Sequence, residues 1–338
     1  MTKVRVAING FGRIGRLAAR ILLDQTIENL ELVAINDLTD IRTLVHLLTY
    51  DSIHGTYDKR IEIDGEYLRV GKQKVAVINQ PDPEKLPWGE LAIDVVIEAT
   101  GRFKERAQIQ KQLTAGAKKV VVTAPTKGED MTLVMGVNDH MYRDDQHDII
   151  SAASCTTTCL APVIKIVHEH FGVLRGLMTT IHSYTNDQVL LDFAHNDLRR
   201  SRAAAMSIIP TSTGAAQAVA KVLPEMKGKL SGMALRVPTP NVSCVDLVLE
   251  LGKPVTAEEL NQLLIDRANG EMKDVIHVSE LPLVSIDYRG SHYAAIVDAL
   301  STIVIDKNLV KLLLWYDNEW GYSYRLIQLI SHIAKSRS

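Results

Sequence analysis

The chain has 338 residues, 46% hydrophobic and 23% charged, with a mean hydropathy of +0.02 and a formal net charge of −2. This length suggests two domains, each burying its own core. The near-neutral balance supplies no field for nucleic acid or an anionic membrane, and no apolar run reaches the ~18 residues of a membrane span. Cys155, Cys159 and Cys244 are too few for a disulfide framework and complete no zinc set. No metal is therefore expected, and a reducing, cytoplasmic setting is. The N-terminus reads as a strand and turn rather than a signal peptide.

Val4 to Ile8 is a β-branched apolar run, read as a buried strand, and Gly10-Phe11-Gly12-Arg13-Ile14-Gly15 follows at once. Helical spacing runs from Arg16 to Leu23. Leu30 to Asn36, Ala92 to Glu98 and Lys119 to Thr123 are further strands. This alternation predicts a doubly wound parallel α/β sheet over roughly the first 150 residues. Alternating residues from Asp58 to Lys74 predict an antiparallel hairpin.

Beyond Cys155 the pattern changes. A helix is expected over Ala161 to Phe171, with Pro162 distorting its first turns. Strands are expected at Gly176 to Ser183, Gly232 to Val237, Val242 to Leu251, Ala294 to Asp298 and Leu312 to Tyr316. Helices are expected at Ala257 to Ala268 and Tyr324 to Ala334, and the Arg-rich Asp187 to Ala205 stretch reads as an ordered loop. The clustered strands predict an α+β second domain with a mostly antiparallel or mixed sheet.

The glycine string sits where a dinucleotide fingerprint needs it, after a strand and opening a helix. Gly10 allows the tight turn, Gly12 lets backbone approach a pyrophosphate, and Gly15 lets helix and strand pack. Helix N–H groups and the dipole favour the anion. Asp37, closing the second strand, is placed to bind ribose hydroxyls and to repel a 2′-phosphate.

Ser154-Cys155 precedes an apolar helical run, and His182 follows after a helix and a return strand. A helix N-terminus and an imidazole both favour a thiolate. Taken alone, the two residues read more readily as a buried structural Cys and a packed His. Small donors at Ser154, Thr156, Thr157, Thr185, Thr213 and Gly214 shift that balance, as do Arg199, Arg200, Arg202 and Arg236, which suit phosphate. Of the loop arginines, Arg199 is the expected phosphate ligand, while Arg200 and Arg202 read as solvated or subunit-bridging.

From end to end the chain resembles the phosphorylating glyceraldehyde-3-phosphate dehydrogenases. The resemblance rests on Ile8 to Arg16, Ala34 to Asp37, Glu98 to Gly101, Ala153 to Thr157 and Thr180 to His182. It continues through Ser212 to Ala216, Arg236 to Thr239 and Trp315 to Tyr322. It implies a Rossmann-type NAD domain over residues 1–154, completed by a C-terminal helix at about 319–338, and a catalytic domain over residues 155–318. Cys155 would be the nucleophile and His182 the base. Gly10, Phe11, Gly12, Arg13, Ile14, Gly15, Asp37, Thr100, Asn318 and Tyr322 would contact the cofactor. Ser154, Thr156, Thr213 and Gly214 would hold one phosphate, and Thr185, Asp187, Arg199 and Arg236 the other. Glyceraldehyde 3-phosphate and inorganic phosphate would be the substrates, and the assembly a homotetramer.

The chain departs from the family pattern in having Ala152 and Thr158 where asparagines usually flank the nucleophile. Phe193-Ala194 stands where NAD-preferring relatives usually carry Leu-Pro. Asp37 and bulky Phe193 argue for NAD, with NADP as the alternative. The competing readings are an erythrose-4-phosphate dehydrogenase discharged by water and a non-catalytic cofactor-binding regulator.

Overall fold

The computed structural model describes residues 3–24, 27 and 29–336. They group into two compact units. One holds the described residues up to Val134, Asp139–Ala153 and the chain from Ser323; the other holds Met135–Asn138 and Ser154–Tyr322.

In the first unit β1 (Val4–Asn9), α1 (Arg13–Leu23), β2 (Leu30–Asn36) and α2 (Ile41–Thr49) come first. A short ribbon of β3 (Tyr50–Asp51) and β4 (Gly55–Thr56) precedes β5 (Ile61–Asp64), β6 (Tyr67–Val70) and β7 (Gln73–Ile78). Then follow β8 (Val95–Glu98), α3 (Arg106–Thr114), β9 (Lys119–Val122), β10 (Met131–Thr132) and β11 (Ile149–Ser151). The sheet order is β10-β11-β9-β8-β1-β2-β7-β6-β5. It is parallel from β10 to β7, and the expected hairpin, β5 with β6, adds an antiparallel edge. The buried runs Val6–Ile8 and Val95–Ile97 belong to strands covered on both faces. Because β2 lies on one side of β1 and β8 on the other, a crevice opens at their carboxyl ends, where such sheets bind ligands.

The glycine turn at that crevice is sterically determined. Gly10 has φ +95°, and a Cβ there would sit 2.5 Å from the Thr100 nitrogen. A Cβ on Gly15 would lie 2.2 Å from the Gly10 carbonyl oxygen, whereas one on Gly12 would meet nothing within 4 Å. Gly15→Ala is therefore expected to cost about 1–3 kcal/mol of stability through overpacking. Gly12→Ala should unfold with the wild type while binding dinucleotide more weakly, because the added methyl blocks backbone approach. Thermal unfolding of the two variants separates these effects.

The second unit begins with α4 (Cys155–Phe171), β12 (Val173–Ser183), β13 (Ile209–Thr211) and α5 (Ala215–Val222). It continues with β14 (Leu230–Val237), β15 (Ser243–Leu251), α6 (Ala257–Asn269), β16 (Ile276–Ser279) and β17 (Ala295–Asp298). Last come β18 (Ile303–Ile305), β19 (Leu309–Tyr316) and α7 (Trp320–Ser336), whose residues from Ser323 onward belong to the first unit. The sheet order is β13-β14-β12-β15-β19-β17-β16, with β18 also on β19. It is mixed: β12–β14 and β16–β17 are parallel and the other pairs antiparallel. Helix α4 packs across β12, β15, β19 and β17.

Several boundaries differ from the sequence expectation. The strand expected from Ala92 starts at Val95, because Ala92 takes φ 47° in a turn whose N–H reaches Gly89. Helix α4 starts at Cys155 rather than Ala161 and runs on through Pro162. Threonines are weak helix formers, but burial of Thr156, Thr157 and Thr158 outweighs that preference. Helices α2, α3 and α5 were not anticipated. Residues 187–203 form an ordered loop without helix or strand, tied by Arg202–Asp192 (3.0 Å) and by Arg200 on Asp187.

Candidate active site and cofactor pocket

In the first unit, Asn9, Gly10, Gly12, Asn36, Asp37, Thr100 and Phe103 line a cleft of about 290 Å³. Helix α1 opens onto it from Gly12 with no side chain capping its N–H groups. The Asp37 carboxylate accepts from Phe11 N (2.7 Å) and Thr39 N (2.9 Å), which fixes it at the rim. Uncapped amides, an open Gly12 and an anchored carboxylate fit a dinucleotide.

Of the expected cofactor residues, Gly10, Gly12, Asp37 and Thr100 line the cleft. Phe11 is buried and contributes its amide to Asp37. Gly15 is buried beneath the turn, and Ile14 lies in the first turn of α1. Arg13 is committed elsewhere: its guanidinium grips Asp51 at 2.5 and 3.1 Å. Asn318 and Tyr322 are buried in the second unit, where Asn318 Oδ1 accepts from Ser243 Oγ at 2.8 Å.

The thiol site is assembled within the second unit. Ser154 caps α4, accepting from Thr157 N at 3.2 Å, which puts Cys155 in the first turn. His182 lies near the end of β12, and its Nε2 is 3.4 Å from Cys155 Sγ. Its Nδ1 is 2.7 Å from the Ser183 carbonyl and 2.7 Å from Arg236 Nη1. When Nδ1–H donates to Ser183, Nε2 turns its lone pair to the sulfur and serves as base. When Arg236 donates to Nδ1, the proton sits on Nε2 and faces the sulfur.

Burial pushes the His182 imidazole down to about 3, reinforced by the Arg236 charge. Burial likewise pushes the Cys155 thiol up, while the Arg236 charge and hydrogen bonds from Thr156 pull it back. Both shifts favour a thiol beside a neutral imidazole over the ion pair. The helix terminus and the ring favour the thiolate, but desolvation, which has no local sequence signature, acts in the opposite sense and is larger.

Arg236 is mostly enclosed. Its Nε is buried without a partner, and among the described residues no carboxylate makes a direct ion pair with it, Asp187 acting on it only from farther off. A largely desolvated guanidinium with no direct ion-pair partner suits an anionic ligand. Arg236→Gln is expected to slow alkylation of Cys155 at neutral pH on the order of tenfold and to move the pH profile upward by about one unit. Iodoacetamide inactivation measured against pH checks this.

The remaining phosphate candidates divide. Thr213 accepts from Ala215 N (3.2 Å), and Gly214 opens α5 with no side-chain cap. Thr185 is partly exposed and Asp187 exposed. The Thr156 hydroxyl is turned inward onto Tyr316 Oη at 2.9 Å, so only its backbone N–H is suited to the helix terminus. Arg199 is exposed, whereas Arg200 reaches inward to Thr211 Oγ1 (3.0 Å) and Asp187 rather than standing solvated. Sequence reasoning also missed Tyr316, which joins Thr156 to Thr180 beneath the nucleophile. Its only signal was its place in a long matched string.

Two family models match the chain. Glyceraldehyde 3-phosphate dehydrogenase, NAD binding domain, covers residues 4–106, and the C-terminal domain of the same enzyme covers residues 154–318. The chain is 58% identical to glyceraldehyde-3-phosphate dehydrogenase of Geobacillus stearothermophilus, over 98% of each chain. It is 54% identical to glyceraldehyde-3-phosphate dehydrogenase 1 of Bacillus subtilis strain 168, again over 98% of each. With glyceraldehyde-3-phosphate dehydrogenase 2 of Nostoc sp. it shares 54% identity over 98% of this chain and 99% of the relative.

The chain belongs to the glyceraldehyde-3-phosphate dehydrogenase family. Like that family it is an oxidoreductase that uses NAD, and its first unit carries the family's NAD-binding domain. Among the described residues no helix is long and apolar enough to cross a membrane, and no group of three His, Cys, Asp or Glu side chains forms a metal site.

Proposed function

We propose that the chain oxidises glyceraldehyde 3-phosphate with NAD and phosphate to 1,3-bisphosphoglycerate. The observation that carries this reading is the thiol of Cys155 at a helix start, 3.4 Å from His182 Nε2, beside a partly buried arginine whose Nε has no partner. Residues 1–154, with the C-terminal helix, serve as the dinucleotide domain and residues 155–318 as the catalytic domain. The grouping of the chain into two units supports that division.

Cys155 attacks the aldehyde carbon as its proton passes to His182 Nε2, which returns it to the carbonyl oxygen to give a hemithioacetal. His182 then removes the hydroxyl proton as the C–H hydride departs, leaving a thioester on Cys155. The bound cofactor supplies the hydride acceptor. Inorganic phosphate attacks the thioester carbonyl, and the departing sulfur recovers its proton from His182. Arg236, Arg200 and the α4 and α5 N-termini hold the two phosphate groups. Asn318 orients the nicotinamide end, and Asp37 holds the adenosine ribose and disfavours a 2′-phosphate.

Leu190, Leu191, Phe193, Leu198 and Met206 expose apolar surface in and beside the 187–203 loop, which supports assembly with copies of the same chain, read as a homotetramer. Light scattering after gel filtration measures the assembly. A cytoplasmic location is part of the same reading, supported by three cysteines that are all free.

The test is the initial rate of reduced nicotinamide formation from glyceraldehyde 3-phosphate, with NAD or NADP and with or without phosphate. Fast, phosphate-dependent reduction of NAD supports the proposal. Turnover indifferent to phosphate points instead to discharge by water, and no turnover points to the regulator.

A further inference from the structure

We infer that Glu98 is an ionised, buried carboxylate that positions Asn9 and Thr100 for dinucleotide binding. This rests on the reading that the cleft of the first unit takes the cofactor. Glu98 ends β8 and is only 1% exposed, and none of its hydrogen-bond partners carries a charge. Burial alone pushes such a group up and favours the neutral acid.

The hydrogen bonds argue the other way, because their directions are fixed from both ends. Gln80 N donates to Asn36 Oδ1 (2.9 Å), and Asn36 Nδ2 donates to the Gln80 carbonyl (3.0 Å), so backbone groups set the Asn36 amide. Asn36 Nδ2 also donates to Asn9 Oδ1 (2.7 Å), which turns Asn9 Nδ2 toward Glu98 Oε2 at 2.6 Å. From the other side, the Trp88 indole, which can only donate, reaches Gln112 Oε1 (2.5 Å). That leaves Gln112 Nε2 to donate to Glu98 Oε2 at 3.0 Å.

On the second oxygen, Thr100 N donates to Oε1 at 2.9 Å. The Thr100 hydroxyl accepts from Arg102 N (3.1 Å) and lies in hydrogen-bond contact with Oε1. Three of the donors on the carboxyl oxygens, Asn9 Nδ2, Gln112 Nε2 and Thr100 N, are fixed and favour the anion, and an acid proton would need the Thr100 hydroxyl as its acceptor. Asn9 and Thr100 line the cleft; Gln112 and Trp88 do not. The buried anion fixes the orientation of cleft side chains from beneath.

The near-isosteric Glu98→Gln tests this, because its NH₂ must face a fixed donor on either side. The dissociation constant for NAD without substrate, read by calorimetry, is expected to rise at least tenfold. KM for NAD should rise more than kcat falls. Isotope-edited infrared difference spectra against wild type should show loss of a carboxylate band near neutral pH. Gln112→Leu, on α3 and outside the cleft, should also weaken NAD binding several-fold, and it decides the matter if Glu98→Gln does not fold. Unchanged NAD binding in a folded Glu98→Gln, or a protonated-acid band in the wild type, overturns the inference. Asp37→Ala is the control: if it binds NAD as the wild type does, the cleft reading itself fails. If it loses NAD while both Glu98→Gln and Gln112→Leu keep it, only the positioning role fails.

Discussion

A Cys155→Ser variant forms reduced nicotinamide from glyceraldehyde 3-phosphate at a rate lowered by roughly 10⁴ or more, the usual consequence of removing a covalent nucleophile. Serine keeps the size and position of the side chain at the start of α4, and Ser154 still caps the helix. The fold and NAD binding are therefore expected to persist, and the loss appears in kcat. A hydroxyl is far less acidic than a thiol, and His182, held neutral by burial, is too weak a base to compensate. Single-turnover absorbance at the nicotinamide band, together with NAD affinity by calorimetry, separates lost chemistry from lost binding. A variant that keeps a tenth of wild-type turnover would remove Cys155 from the mechanism.

His182→Asn is expected to lower kcat by about 10²–10⁴, the range for a positioned general base. It leaves Cys155 present but without a proton acceptor at 3.4 Å. The same change alters acid stability in a defined sense. His182 titrates at about 3 when folded, against 6.5 for the ordinary group. Below pH 6.5 the unfolded chain therefore binds a proton that the folded one refuses. The stability tied to the neutral ring is complete above that value and is lost as pH falls toward 3. Replacing the ring with asparagine should flatten this part of the stability curve, seen as a shallower fall of melting temperature between about pH 6 and pH 4.

The sequence carried most of the chemistry because the chemistry is local. The glycine string marks a turn and a helix start, and the structure builds both from adjacent residues. The strands β1, β2, β15 and β19 were legible because unbroken or alternating apolar runs report the faces they bury. What stayed hidden depends on long-range packing. Nothing in Arg-Arg at Arg199-Arg200 tells which side chain turns inward toward Thr211. The α4 start was read too late because three threonines disguise a helix held by burial. The inward turn of Thr156 depends on Tyr316, far along the chain. Desolvation of the thiol and the imidazole has no local signature either.

The edges of the first sheet govern how this protein behaves when it is crowded. The nine-stranded sheet ends in two rows of backbone groups that another chain's strand can use. One end, β10, is only two residues long. The other, β5, carries Glu62 and Asp64 on a largely exposed strand, with Arg60 on Glu62 and both Arg69 and Lys74 on Asp64. An incoming strand would have to strip water from these charges before gaining a single backbone bond. Concentrated solutions of the folded chain are thereby kept from growing by strand addition, and its self-association is left to side-chain surfaces elsewhere.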